Sequence, residues 1–475
     1  MTKGFRTFHA AQNTWGNTLY FPTPVSFLKD WEKTIAADQA FFRATSPLQR
    51  SELLNRICAL IVAEKDAILQ LYCKESGLSQ ARFEAEFSRL TSTISLFAKH
   101  IQTLAWQKES KVHSEAKTLL KKRVALGPVL VLGSSNFPLA YSTMGGDTVA
   151  ALAAGCCVVL KAHPMHVGTS QAVANCVTRA LEELSLPTGI FSHVLDNTYE
   201  WASTFAQHPQ IKAIGFTGSI KGGRTLMDLA AARPDPIPVF AEMGSLNPVL
   251  VFKDLPQNDL RAAAQKLAAS ICTDAGQFCT KPGLLLVHES QLDAFQNNLL
   301  EALTKQVAVP MLHPSIHQKF EARKRQVFQV KGIEPHQSTT SLSGIVGRWG
   351  IAKCRITQLI EEPTLREEVF GPFAVLCSYG TTAELQSLLN VLDGQLTCSI
   401  FKSQDQTLDA EIEHLLYEKT GRIIINSVPT GVSVVEAMQH GGPYPASSDA
   451  RFTAVGPDSL LRFTKEVTWQ LHDSL

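Results

Sequence analysis

The stretch Asp274-Ala275-Gly276-Gln277-Phe278-Cys279-Thr280 places a cysteine at the end of a Gly-Gln-aromatic step. A helix-like run of small and apolar residues, Ala262 to Ile271, leads into it. After it, Pro282 and Gly283 break any helix, and Leu284-Leu285-Leu286-Val287 reads as a buried strand. This pattern sets a thiol in a tight loop beside backbone N–H groups, where a thiolate could form and an oxyanion could be held. The chain has 10 cysteines, and one taken alone is as a rule a small core residue.

Four further segments carry residue types that could work with a thiol, and each has a plain structural alternative. Phe216-Thr217-Gly218-Ser219-Ile220-Lys221-Gly222-Gly223 follows a strand and opens a helix, where glycines let backbone approach a phosphate. It is not the G-x-G-x-x-G fingerprint, and an ordinary strand-to-helix turn reads the same way. Glu242-Met243-Gly244-Ser245 puts a carboxylate at the end of an apolar strand, either solvated or tuned for proton transfer. Ser134-Ser135-Asn136-Phe137-Pro138 puts an amide after a buried strand, as a turn former or as a donor to an oxyanion. Glu367-Glu368-Val369-Phe370-Gly371-Pro372-Phe373 is an acidic pair before a Gly-Pro turn, which also describes a surface loop.

The elements that must position these residues follow from periodicity. Residues 1 to about 24 are irregular, and from Val25 to about Gln107 apolar residues recur at spacings of three and four, as at Leu53, Ile57, Leu60 and Ile61. Glu75-Ser76-Gly77 reads as a helix end capped by glycine. Lys108 to Lys122 is polar and basic, an exposed excursion or an edge hairpin. Val124 to Gly133 reads as a strand, and strand-like and helical runs then alternate, which predicts a mostly parallel α/β sheet. The alternation restarts after about residue 245, with strands expected at 247–252, 284–287, 373–378, 396–401 and 422–426. Arg462 to Trp469 alternates like an edge strand, the kind that pairs with a second subunit.

Bulk composition narrows the classes. At 475 residues, two or three domains are expected. Lys+Arg 44 against Asp+Glu 43 gives no electrostatic footprint for nucleic acid or an anionic membrane. No apolar run is long enough to span a bilayer, and Met1 to Arg6 lacks the apolar run of a secretory signal, so no membrane insertion and a cytoplasmic location are expected. The sparse cysteines fit a reducing compartment.

Taken together and in order, the blocks resemble the NAD(P)-dependent aldehyde dehydrogenase superfamily. They are Asn136-Phe137-Pro138, Lys161 after Val158-Val159-Leu160, Phe216-Thr217-Gly218-Ser219, Glu242-Met243-Gly244, Gly276-Gln277-Phe278-Cys279-Thr280 and Glu368-Val369-Phe370-Gly371-Pro372. The resemblance implies an α/β fold with a Rossmann-type cofactor domain, an α/β catalytic domain and a small oligomerisation element. Its divisions would fall at 1–107 (helical part of the cofactor domain), 108–126 (oligomerisation hairpin), 127–245 (Rossmann-type domain), 246–440 (catalytic domain) and 441–475 (return to the cofactor domain and terminal strand). It implies a homodimer or homotetramer.

The resemblance also implies roles. Cys279 would attack the aldehyde to give a thiohemiacetal, with Asn136 and the Cys279 backbone N–H holding the oxyanion. Hydride would pass to nicotinamide, and Glu242 would activate the water that hydrolyses the resulting thioester. Lys161, counted with the catalytic set as well, would bond the adenosine ribose beside Ala162, His163 and Pro164. Ser219 and the Gly218 turn would face the pyrophosphate and Glu368 would hold the nicotinamide ribose, with Phe216, Thr217, Gly244 and Phe370 also in the cofactor-binding set. A non-redox thiol esterase would share Cys279 without needing nicotinamide. A catalytically silent structural relative would have lost Cys279, Glu242 or Asn136, and all three are present.

The segment Met438-Gln439-His440-Gly441-Gly442-Pro443-Tyr444-Pro445-Ala446 resembles the subgroup containing 2-oxoglutaric semialdehyde (2,5-dioxovalerate) dehydrogenases and a bacterial long-chain fatty aldehyde dehydrogenase. The semialdehyde is the expected substrate and the fatty aldehyde the alternative. A semialdehyde acid needs a cationic cradle, yet no arginine neighbours Cys279 in sequence. A fatty aldehyde needs an apolar tunnel, for which Phe137, Tyr141, Phe278 and Val432 could be walls or ordinary core. Pro164 stands where NAD-preferring relatives carry an acid, so either NADP or NAD is expected, with NADP favoured. His163 and His166 lack further ligands nearby, and no metal is expected. The region from Val307 to Ile351 reads as shorter than in relatives.

Overall fold

The computed structural model describes residues 3–114, 117–340 and 343–472. The helical start consists of α1 (Ser26–Ala44), α2 (Pro47–Ala63), α3 (Lys65–Ser76) and α4 (Gln80–His100). Local chemistry sets their ends. Ser46 and Gln49 form a capping box ahead of Pro47, Gly77 closes α3 at φ +70°, and the Ser79 hydroxyl caps α4.

Two sheets follow. The first contains β1 (Val129–Leu132), β2 (Val158–Lys161), β3 (Phe191–Val194), β4 (Ala213–Thr217) and β5 (Val239–Glu242). All neighbours are parallel, in the order β3-β2-β1-β4-β5. The chain order therefore reverses between β1 and β4, and in open parallel sheets ligands bind at the carboxyl ends of strands flanking such a reversal. The strands are near-continuous apolar runs because helices cover both faces.

The second sheet contains β6 (Pro248–Val251), β7 (Leu284–His288), β8 (Glu334–Gln337), β9 (Gly350–Arg355), β10 (Phe373–Tyr379), β11 (Gln395–Phe401) and β12 (Thr420–Ile425). Its order is β8-β9-β10-β7-β6-β11-β12, parallel except for β8 against β9. Leu284, Leu285 and Leu286 are fully buried at its centre, so truncating one to Ala would cost about 2–5 kcal/mol. The pair β8 and β9 falls in a region where the sequence pattern marked no strand.

A separate three-stranded sheet joins Ser110–Ser114, Lys117–Ala125 and the terminal strand Thr464–His472, all antiparallel. Two sequence expectations need correction here. Val124 to Gly133 is not one strand, because Gly127 at φ +141° and the N–H-less Pro128 break it into the hairpin's end and β1. The terminal strand begins at Thr464 rather than Arg462, because Arg462 is buried in a 3-10 turn where it pairs with Asp147 at 2.7 Å. No helix among the described residues is long and apolar enough to cross a membrane.

Candidate active site

Cys279 sits between helix Gln257–Cys272 and β7, in a loop of unusual backbone. Asp274, Ala275 and Gly276 are consecutive left-handed residues, at φ +47°, +54° and +64°. For Asp and Ala this costs free energy, so the surroundings must hold the loop. Arg82 Nε donates to Asp274 at 2.7 Å. Asn247 Nδ2 donates to the carbonyls of Cys279 at 2.8 Å and Lys281 at 2.9 Å. Gly276 presses against the Gly371-Pro372 turn, where an added Cβ would lie 2.4 Å from the Gly371 carbonyl. The thiol loop and the Glu368-to-Pro372 block are thus locked together by backbone contact.

The thiol opens into a cavity of about 170 Å³ lined by residues from four parts of the chain. Helix α4 contributes Arg82, Glu86 and Arg89, whose spacing of four and three puts them on one face. The loop after β1 contributes Phe137 and Tyr141; Phe278 and Cys279 come from the thiol loop, and Val432 and His440 from the late segment. Glu86 accepts from the N–H groups of Leu139 and Ala140 at 2.8 Å each, which fixes the Asn136-Phe137 loop to α4. Phe137 packs edge-on to Phe278 and to Tyr141, and the Arg82 guanidinium stacks 4.3 Å from the Phe137 ring. Asn136 Nδ2 donates to the Gln277 carbonyl at 2.8 Å, leaving the amide one further N–H beside the thiol loop.

His440 Nε2 lies 3.9 Å from Cys279 Sγ. Burial first, then the charges of Arg422, Arg89 and Arg462, lower this imidazole to about 3, so it is neutral at physiological pH. Burial, with Glu242 and Glu368 nearby, pushes the Cys279 thiol up to about 12. Burial also raises Glu242 well above the usual carboxylate range, with Asp147 adding to the rise and Arg462 opposing it. Glu242 Oε2 is buried without a hydrogen-bond partner among the described residues. At rest the site therefore holds a protonated thiol and a neutral imidazole beside a carboxyl whose proton affinity is raised by burial.

The His440 segment reaches this position by pairing along β5. Met243 N–H donates to Ala446 at 2.8 Å and Ser448 N–H to Ala241 at 3.0 Å, while Glu242 bridges Ser447. A Cβ on Gly441 would stand 3.5 Å from Glu242 Oε1, so a bare backbone approaches the carboxyl there. Thus the His440-Gly441-Gly442 block touches both Cys279 and Glu242.

The remaining residues gather on the carboxyl edge of the first sheet. Lys161 ends β2, and its buried ammonium donates to the Asp196 carbonyl at 2.9 Å, with two N–H groups to spare. Burial lowers it to about 8. It does not line the thiol cavity. Ala162 N–H donates to Val194 at 2.9 Å; His163 stacks on His166 with centroids 5.4 Å apart, and Pro164 follows in the same turn. Among the described residues no group of three or more His, Cys, Asp or Glu is arranged to hold a metal ion. Phe216 and Thr217 end β4, Gly218 turns, and Ser219 caps helix Ile220–Ala231 by accepting from Gly222 N–H. Glu368 lies over Gly244, where an added Cβ would come 2.2 Å from its Oε2, and Phe370 is half-buried two residues on. A helix N-terminus, a lysine with free donors and a carboxyl over bare backbone fit a group carrying phosphates and ribose hydroxyls.

A family model described as the aldehyde dehydrogenase family matches residues 27–330. The chain belongs to the aldehyde dehydrogenase family. Its activity class is accordingly aldehyde oxidation with a nicotinamide acceptor. It is 35% identical over 444 residues to alpha-ketoglutaric semialdehyde dehydrogenase 2 of Azospirillum brasilense, covering 90% of this chain and 84% of that one. It is 36% identical over 454 residues to alpha-ketoglutaric semialdehyde dehydrogenase of Acinetobacter baylyi, covering 92% and 85%. The fold is similar to a crystal structure of an aldehyde dehydrogenase from Brucella melitensis biovar abortus, with TM-score 0.84, 19% identity, and coverage of 100% and 95%.

Sequence reasoning did not mark Arg82, Arg89 or Asn247. The first two lie about 190 residues upstream of Cys279, on a helix whose apolar periodicity drew attention away from its polar face. The signal present was Arg82, Glu86 and Arg89 in register along that helix.

Proposed function

We propose that this enzyme oxidises 2-oxoglutaric semialdehyde to 2-oxoglutarate, with NADP or NAD as the acceptor. The reaction is supported by one observation above the rest: Cys279 and a neutral His440 line one cavity, with the Asn136 amide bonded to the Gln277 carbonyl of the same thiol loop. The substrate is supported by the relatives of that name at 35% and 36% identity.

In this reading the Cys279 thiolate, formed by loss of the thiol proton to solvent, adds to the aldehyde carbon. The second N–H of Asn136 and the Cys279 backbone N–H hold the oxyanion of the thiohemiacetal. When bound, nicotinamide supplies the hydride acceptor, and a thioester is left on Cys279. Burial is the largest cause of the raised pKa of Glu242, so water admitted for hydrolysis resolvates the carboxyl, lowers that pKa and allows Glu242 to take the water's proton.

Lys161, Ala162, His163 and Pro164 would hold the adenosine ribose, the Phe216-to-Ser219 turn the pyrophosphate, and Gly244, Glu368 and Phe370 the nicotinamide ribose. Pro164 offers no carboxylate to repel a 2′-phosphate, which favours NADP. Assembly as a homodimer or homotetramer is supported by the terminal strand, whose Trp469 and Leu471 are exposed together with Val112 on the same small sheet. The test is absorbance of reduced nicotinamide on adding the semialdehyde, with NAD and NADP separately. A signal abolished by Cys279→Ser is expected; no signal with either cofactor would overturn the proposal.

A further inference from the structure

The thiol cavity carries more positive charge than thiol chemistry uses. Of its two cations, Arg82 is committed, with Asp274 at 2.7 Å and Glu86 at 3.7 Å. Arg89 is not. Its NH1 donates to the Val432 carbonyl at 2.7 Å and its NH2 to the Tyr141 hydroxyl oxygen at 2.8 Å. No carboxylate among the described residues lies within 4 Å of it. A guanidinium has five N–H donors, so three remain on a half-buried group facing the cavity. Tyr141 accepts from Arg89, and its own O–H has no acceptor among the described residues, which leaves a fourth donor beside the first three.

The geometry around Arg89 is fixed rather than flexible. Tyr141 is held by the edge of Phe137 at 5.0 Å between ring centroids, and the Arg89 guanidinium lies 5.3 Å from the Tyr141 ring. The carbonyl of Val432 is kept in place by Arg422, which donates to Pro429 at 2.7 Å and Gly431 at 3.2 Å. Contacts run without a gap from the thiol: Sγ to His440 at 3.9 Å, His440 to the Tyr141 ring at 6.3 Å, and Tyr141 to Arg89 at 2.8 Å. A short molecule with its aldehyde at Cys279 would therefore bring its other end to a preorganised set of donors. An alkyl tail placed there would strand those donors away from water, at a cost no apolar contact offsets.

We propose that Arg89, with the Tyr141 hydroxyl, anchors the carboxylate at the far end of the substrate, so that the cavity selects short aldehydes bearing an acid group over long apolar ones. This rests on the semialdehyde reading above and names the residues that enforce it. Arg89 contacts the substrate's carboxylate and takes no part in bond making at the aldehyde.

Two measurements test it. In the first, wild-type enzyme is alkylated at Cys279 by iodoacetamide in the presence of glutarate or its uncharged isostere glutaramide. Glutarate is expected to slow alkylation and glutaramide to have little effect; equal effects of the two would overturn the anchor. In the second, kcat/KM is compared for 2-oxoglutaric semialdehyde and pentanal. In Arg89→Met the acid-to-neutral ratio is expected to fall about 10- to 100-fold, the range for losing a hydrogen bond to a charged group, through KM and with partial recovery in Arg89→Lys. A ratio unchanged in Arg89→Met would overturn the anchor. If no aldehyde is oxidised, the proposed function fails, while the glutarate comparison still decides the anchor. If Arg89→Met does not fold, that same comparison stands on the wild type alone.

Discussion

At the scale of residues, the site combines a thiol raised to about 12 with an imidazole lowered to about 3 at 3.9 Å. A thiol so placed is protonated at neutral pH, so its thiolate fraction grows as pH rises. Alkylation of Cys279 is expected to accelerate between about pH 7 and about pH 10 without a plateau; a rate already flat by pH 7 would contradict a raised thiol. Cys279, Glu242 and Asn136 were legible in the sequence because each stands in a short block with its own chemistry. His440 was legible only as part of a block, since nothing in sequence says that residue 440 meets residue 279. Arg89 was hidden for the same reason: the distance that matters exists only after α4 packs against the loop that follows β1.

At the scale of elements, loops do the positioning and the sheets hold the loops. The left-handed run Asp274-Ala275-Gly276 is kept by Arg82, Asn247 and the Gly371-Pro372 turn. Gly276→Ala would meet the Gly371 backbone and a disfavoured φ together, at a local cost of about 1–3 kcal/mol. It is expected to cut kcat strongly while leaving the circular dichroism of the whole chain intact. Asn247→Ala removes the bonds to Cys279 and Lys281, and hydrogen exchange at residues 274–281 is expected to rise; unchanged exchange would show that the loop is held elsewhere. Strands β6, β7 and β10 were legible because buried parallel strands are near-continuous apolar runs, and the half-buried edge strand β12 from Ile423, Ile424 and Ile425. Strands β8 and β9 were not, since Glu334-Pro335-His336-Gln337 is polar and Lys353 interrupts Gly350–Arg355. The break at Gly127-Pro128 was readable from residue types, yet unbroken apolar character across it hid the change of sheet.

At the scale of the molecule, the chemistry lies between two sheets: Glu242 ends β5 of the first, and Cys279 precedes β7 of the second. The alternation of strands and helices made this class of fold legible, while the way the late segment returns to pair with β5 depends on long-range hydrogen bonds that no local pattern encodes. The small sheet of Ser110–Ser114, Lys117–Ala125 and Thr464–His472 exposes Val112, Trp469 and Leu471. On the proposed assembly through this sheet, Trp469→Glu is expected to shift the enzyme to a smaller species in light scattering; an unchanged mass would contradict that assembly. The most direct test of the whole account is intact-mass and peptide mapping of Glu242→Gln after one turnover with 2-oxoglutaric semialdehyde and cofactor. The account predicts one equivalent of reduced nicotinamide and a 2-oxoglutaryl thioester retained on Cys279. Absence of the adduct, or its presence on another of the ten cysteines, would contradict it.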